Sequence, residues 1–218
     1  FEAGARYGDE TLKLSEIFKD ATLYAFECNP RTIDVCREKL EGKKNINFIR
    51  HGLGNNNEML PFYSYTKNND GASSFLKRID YDETQEQTGV IEIKKIDDFV
   101  TEHNITSIDL LCMDVQGYEL NIMKGAGDFI KNIKCIIMEE PKAIINTVFL
   151  PPSVHSKYIN APSAQEIHKF MRQHNFIEIE RIEENKLEDN VMYMNMSLFD
   201  FKPKPKPNLF GFSTRKPK

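Results

Sequence analysis

The sequence predicts an α/β fold: a mostly parallel sheet with helices on both faces and an antiparallel hairpin at its last edge. Three observations predict it. Short apolar, β-rich runs alternate with segments of helical period, as crossover helices between parallel strands require. The run at residues 108–113 is apolar almost throughout and stops at Asp114, as a buried parallel strand does. Two strand-like segments, 176–182 and 191–199, follow each other across the polar stretch 183–190, which makes an antiparallel pair.

Each element has a local reason. Residues 1–3 read as the end of a strand, so the chain reads as part of a longer one with its first strand cut. A glycine turn leads into a helix over 9–18 that sets Leu14, Ile17 and Phe18 on one face. A strand at 22–27 is followed by Asn29 as a helix cap, Pro30 at the first helical position, and the stripe Ile33, Cys36 and Leu40. A third strand lies at 47–50. Residues 52–89 are rich in Asn, Gly, Ser and acidic residues, with a short strand at 60–65; a connection that long is often functional. A strand at 90–96 precedes a short helix through His103 capped by Asp97. Gly117 to Gly125 starts a helix, and 135–138 is a buried strand ending at Glu139 and Glu140. Ser163 and Glu166 have capping-box spacing and open a helix through His174.

The 218 residues suffice for one domain with a real core, at 40% hydrophobic and 28% charged. The boundaries expected are a folded unit over 1–200 and a basic Lys/Pro-rich tail over 201–218. The tail holds six Lys/Arg and no Asp or Glu, leaving the preceding residues with 23 basic against 33 acidic side chains. An acidic body is no footprint for nucleic acid. No apolar run reaches membrane-span length, and no signal peptide is visible. Cys28, Cys36, Cys112 and Cys135 form no Cys-x-x-Cys pair; with the missing leader they read as reduced, in a cytoplasmic protein.

In an open α/β sheet, ligands sit outside the carboxyl ends of the strands. The informative residues are therefore Glu2-Ala3-Gly4-Ala5-Arg6-Tyr7-Gly8, Glu27-Cys28-Asn29, His51-Gly52-Leu53-Gly54, Asp114-Val115-Gln116-Gly117 and Glu139-Glu140. The first is Glu-x-Gly-x-x-x-Gly. It is neither the Gly-x-Gly-x-x-Gly dinucleotide turn nor a Gly-Lys-Ser/Thr phosphate loop. Glu2 is an anion where a cationic ligand could use it. Glu27, at the tip of the second strand, can accept both hydroxyls of a ribose.

In order along the chain, the glycine turn, Ala25-Phe26-Glu27-Cys28-Asn29-Pro30, Ile96-Asp97-Asp98-Phe99, Asp114-Val115-Gln116-Gly117-Tyr118-Glu119, Met123-Lys124-Gly125-Ala126 and Met192-Tyr193-Met194-Asn195 resemble the FkbM family. The resemblance covers residues 1–199. It implies a class I, Rossmann-like methyltransferase fold, a three-layer α/β/α sandwich around a seven-stranded sheet. It also implies S-adenosylmethionine (SAM)-dependent O-methyl transfer to a hydroxyl of a sugar or glycan. Two positions depart from the family: Cys112 stands where many members have Lys, and Gln116 where many have Glu.

On that resemblance the cofactor falls to Glu2, Ala3, Gly4, Gly8, Glu27, Cys28, Asn29, Gly52, Leu53 and Asp114. Glu2 would lie by the amino or sulfonium group, Glu27 by the ribose hydroxyls, and Gly52 and Leu53 by the adenine. Candidates for proton acceptance or acceptor binding are Asp114, Glu119, Glu139 and His155. Glu140 is an alternative to Glu139, and no metal ligands are assigned. Asp70-Gly71-Ala72-Ser73-Ser74 resembles the family's Gly/Ser patch near the cleft. Tyr63, Tyr65, Phe75 and Tyr158 are read as sugar-stacking rings or as loop packing. The acceptor expected is a sugar or glycan, without nucleic acid or a membrane span, in a parent chain that carries further, glycosyltransferase, domains. A methyltransferase of nucleic acid or protein, and a binding module without turnover, stay open as alternatives.

Overall fold

A computed structural model describes residues 1–65, 70–78, 85–142, 158–184 and 188–199. The basic tail and His155 lie outside the described residues.

Among the described residues ten strands and five α-helices run in the order β1 (Glu2–Ala3), α1 (Asp9–Ile17), β2 (Leu23–Phe26), α2 (Ile33–Leu40), β3 (Ile46–Ile49), β4 (Gly52–Leu53), β5 (Glu58–Tyr65), β6 (Gln85–Lys94), α3 (Ile96–Glu102), β7 (Ile108–Met113), α4 (Glu119–Gly125), β8 (Ile133–Pro141), α5 (Ala164–Gln173), β9 (Phe176–Glu183) and β10 (Glu188–Asn195). The main sheet has seven strands in the order β3-β2-β1-β7-β8-β10-β9. Pairing is parallel from β3 to β8. It turns antiparallel where β10 enters between β8 and β9. The chain builds outward from β1 to β3, then restarts on the other side of β1 with β7. That reversal opens a crevice at the strand tips.

Two apolar layers hold the helices. Ala5, Ala25, Cys36 and Leu40 pack with Leu12, Ile46 and Phe48, which seats α1 and α2 on one face. The larger core includes Phe26, Phe99, Leu111, Met123, Ile136, Met138, Ile167 and Met171, which seats α3, α4 and α5 on the other. Ser163 caps α5 in a reciprocal box with Glu166, as its spacing predicts.

Several expectations are corrected. Residues 52–89 are not one loop with a short strand: β4, β6 and β5 form a separate three-stranded sheet. A register shift at Phe62/Tyr63 interrupts the alternation that would have shown it. Asn29 does not cap α2; Thr32 stands at that position. The Asn29 side chain instead accepts from Arg31 N (3.1 Å) and Ser64 Oγ (2.8 Å), closing a turn around Pro30. Lys95, not Asp97, is the N-cap of α3, and Asp97 lies in its first turn. Helix α4 starts at Glu119 because Gln116 and Gly117 both have positive φ, 56° and 91°. Strand β8 runs through Glu139 and Glu140 because β10 pairs with it that far, so neither glutamate lies beyond a strand tip.

All four cysteines are free. Among the described residues no helix is long and apolar enough to cross a membrane.

Candidate active site

A cleft opens at the tips of β1, β2, β4 and β7, where open α/β sheets place their ligands. Ala3, Gly4, Glu27, Cys28, Asn29, Gly52, Leu53 and Asp114 line it, together with Arg6, Thr32, Ser73, Ser74 and Phe75.

Gly4 turns the chain at φ 89°, and a Cβ there would overlap the Asp114 carbonyl oxygen. The loops after β1 and β7 therefore touch, backbone to backbone, across the switch point. Opposite them, a Cβ on Gly52 would come within 2.8 Å of the Phe75 ring. Phe75 is edge-on to Phe62 (4.9 Å between centroids) and tilted against Tyr118 (5.2 Å), which fixes it as a wall.

Glu27 sits in this cleft, 6% exposed. Its carboxylate accepts from Arg6 N (2.5 Å) and Asn29 N (2.6 Å). Burial pushes its pKa up to about 7, against the backbone bonds from Asn29, Arg6 and Cys28. Arg6, at φ 52°, sends its guanidinium to Asp70, and the Tyr7 hydroxyl donates to the same carboxylate. The glycine turn is thus tied to residues 70–74, which bring Ser73 and Ser74 to the cleft.

Asp114 lies at the cleft floor, open to solvent yet ringed by protein on most sides. Desolvation by that surround raises its carboxyl above the usual range, while the bond from Gln116 lowers it. Gln116 Nε2 donates to Asp114 Oδ1 (2.6 Å) and to Glu139 Oε2 (3.0 Å). Tyr158 Oη donates to Gln116 Oε1 (2.7 Å) and lies 2.9 Å from Ala72 O. Behind this bridge, Glu119, Glu139 and Glu188 line a smaller cavity.

Not every expected residue reaches the cleft. Glu2 is buried beneath it and accepts from Thr11 Oγ1 at 2.5 Å. Gly8 starts α1, where a Cβ would meet Leu40 and the positive φ of 78° makes glycine the fitting residue. Glu119 turns back on its own loop: its Oε1 accepts from Val115 N and Gly117 N, both at 3.3 Å. Burial pushes its pKa up to about 7. Glu140 is fully buried and taken up by His168, Arg181 and the Tyr193 hydroxyl. His51 packs against Phe26 and Phe99. Tyr65 and Tyr158 are 2% exposed, so they pack the loops and cannot stack on a sugar. Nothing in residue spacing sets Arg6 and Thr32 facing Glu27. Gln116 reads in sequence as a lost carboxylate, yet it links three elements.

The strand order with its switch point, the glycine turn and the buried carboxylate at the tip of β2 together define a class I, Rossmann-like methyltransferase. A model of the Methyltransferase FkbM domain matches residues 2–178, most of the chain, and the chain belongs to that family. One similar protein is the 2-O-methyltransferase NoeI of Sinorhizobium fredii (strain NBRC 101917 / NGR234), 24% identical over 148 residues, or 63% of this chain and 61% of that protein. Another is Methyltransferase 1 of Beauveria bassiana (strain ARSEF 2860), 26% identical over 145 residues, or 58% of this chain and 57% of that protein. The matches thus span about three-fifths of each relative's length. A solved SAM-dependent methyltransferase from Aquifex aeolicus overlaps 89% of this chain and 80% of its own, at 13% identity and a TM-score of 0.47.

The cofactor of this family of enzymes is SAM. The cleft fits it on one observation above all. The Glu27 carboxylate, with a backbone amide on each oxygen, lines the cleft beside Thr32 Oγ1, a buried hydroxyl without a hydrogen-bond partner among the described residues, and a ribose diol there could meet both.

Proposed function

We propose that this chain transfers a methyl group from SAM to a hydroxyl of a sugar or glycan, with Asp114 as the proton acceptor. The observation that carries this reading is the carboxylate at the tip of β7, in the cleft and clamped at Oδ1 by Gln116. Bound there, SAM supplies an electrophilic methyl group.

The chain's own residues do the rest. Glu27 accepts the ribose hydroxyls. The Gly4 turn would let main chain pass close to the methionine end, and Gly52, Leu53 and Phe75, which line the cleft, would flank the adenine. Asp114 Oδ2 holds the acceptor hydroxyl and takes its proton, a role worth roughly 10²–10⁴-fold in rate. Fixing the hydroxyl in line contributes more, up to ~7–11 kcal/mol.

Support for oxygen as the acceptor comes from the relative named as a 2-O-methyltransferase. Support for a neutral, hydroxyl-rich acceptor comes from the carboxylates beside the cleft: Asp114, Glu119, Glu139 and Glu188 would repel a phosphate backbone. A parent chain with glycosyltransferase domains would supply such a glycan.

The test is methyl release from labelled SAM against rhamnose-, fucose- and hexose-containing acceptors. Turnover on at least one, lost by 100-fold or more in Asp114→Asn, is expected. Asp114→Asn at wild-type rate would remove Asp114 from the role. Binding of SAM without turnover of any hydroxyl acceptor would sink the reading itself.

A further inference from the structure

Gln116 occupies a costly backbone position for what reads as a surface-loop side chain. Its φ of 56° is one that glycine or asparagine adopts with least strain. The following residue, Gly117, is also left-handed, at 91°. This double turn brings the side chain back over the end of β7. There the amide meets three groups from three parts of the fold: Asp114 after β7, Glu139 in β8, and Tyr158 before α5.

The chemistry fixes which way round the amide sits. Two carboxylates face one end and a phenol the other. An amide nitrogen has two hydrogens, one for each carboxylate, and the oxygen can accept from the phenol. The flipped amide would set its oxygen against two carboxylates. Every donor of the side chain is thus used, and the buried Tyr158 supplies the phenol at the far end.

We infer that Gln116 is a positioning residue for the proposed proton acceptor: its amide bridges the Asp114 and Glu139 carboxylates and holds Asp114 by Oδ1, leaving Oδ2 to meet the acceptor hydroxyl. A carboxylate at this position could not do this. It has no hydrogen to give unless protonated, and it would add a third negative charge between two others.

The surroundings make that bridge consequential. Glu10 of α1 and Glu188 of β10 act on Asp114 with negative charge, and Asp114 in its turn acts on Glu2 of β1 and Glu119 of α4. Glu139 adds another through the shared amide. Arg6 is the opposing cation. A carboxylate in such company takes up a proton readily unless something donates to its ionised form. Gln116 is the donor the structure gives it.

This inference rests on the reading of Asp114 as proton acceptor, but its test needs no turnover. Carboxyl ¹³C NMR of Asp114, titrated in wild type, Gln116→Glu and Gln116→Leu, reads the effect directly. The Asp114 midpoint should rise by about one pH unit or more in both variants. In wild type the Gln116 side-chain N–H₂ signals should shift with that same titration, which needs no variant to fold. With an acceptor in hand, the acid limb of the kcat/KM profile should move by the same amount, while affinity for S-adenosylhomocysteine stays constant. An unmoved Asp114 midpoint in folded Gln116→Glu, or N–H₂ signals blind to the titration, overturns the inference. Failure of every hydroxyl acceptor overturns the proposed reaction instead, and leaves the titration readable.

Discussion

At the scale of single residues, Glu27 carries the sharpest consequences. Its carboxyl is raised from 4.5 to about 7 by burial, so the folded chain holds this proton more tightly than the unfolded chain does. Such a group weakens the fold as pH climbs from the unfolded value through the folded one, because the unfolded chain gives up its proton first. Glu119, also pushed up to about 7, acts in the same direction. Glu27→Gln removes the first contribution. Its unfolding free energy without cofactor, read by denaturant titration, should pull ahead of wild type between about pH 5 and about pH 8, by an amount on the order of 3 kcal/mol at the alkaline end. Cofactor binding should behave oppositely. Ribose hydroxyls donate to the ionised carboxylate, so wild-type affinity for S-adenosylhomocysteine should fall below about pH 7, approaching tenfold per pH unit. Glu27→Gln should bind roughly 10- to 100-fold more weakly and without that slope, read by calorimetry. Equal affinity in the two proteins would take Glu27 out of the cofactor site.

At the scale of elements, the clasp from Arg6 and Tyr7 to Asp70 joins the glycine turn to residues that lie between β5 and β6. The Arg6 side chain is half exposed, at 51%, so the pair adds little to global stability. Its effect should be local. Asp70→Ala should lower affinity for S-adenosylhomocysteine several-fold and shift the denaturation midpoint by less than about 1 kcal/mol. A large loss of stability with unchanged affinity would contradict it.

The same elements show what sequence can and cannot reveal. Strands such as β7, apolar and buried, and helix α5, capped by Ser163 and Glu166, announce themselves. So do Glu27 and Asp114, each at a strand tip. Strand β6 does not: its first residues, Gln85 to Gly89, are polar or half exposed, and its partner β5 carries a register shift. Side-chain direction is also invisible in spacing. Glu119 stands beside the cleft in sequence, but the left-handed turn at Gln116 and Gly117 folds it back onto the loop. Arg6 and Asp70 meet through the fold, since 64 residues separate them.

At the scale of the whole molecule, the cleft gathers the tips of β1, β2, β4 and β7 with the segment after β5, so a ligand there braces the fold broadly. S-adenosylhomocysteine at about 100 times its dissociation constant should add about 2.7 kcal/mol to unfolding, visible as a melting point several degrees higher. No shift in a protein that binds it would mean that the site survives in the unfolded ensemble. The central place of β1 has a kinetic consequence. Glu2 pairs with Ala25 on one side and with Cys112 on the other, the latter across about 110 residues of chain. A hairpin such as β9–β10 can close early, whereas the middle of the sheet must wait for a long loop to close. The glycine turn at the end of β1 therefore takes its final shape late in folding, after the outer strands have found their partners. A ligand that needs this turn can slow unfolding but finds no site on the chain before the slow step is over, so refolding rates should be indifferent to it.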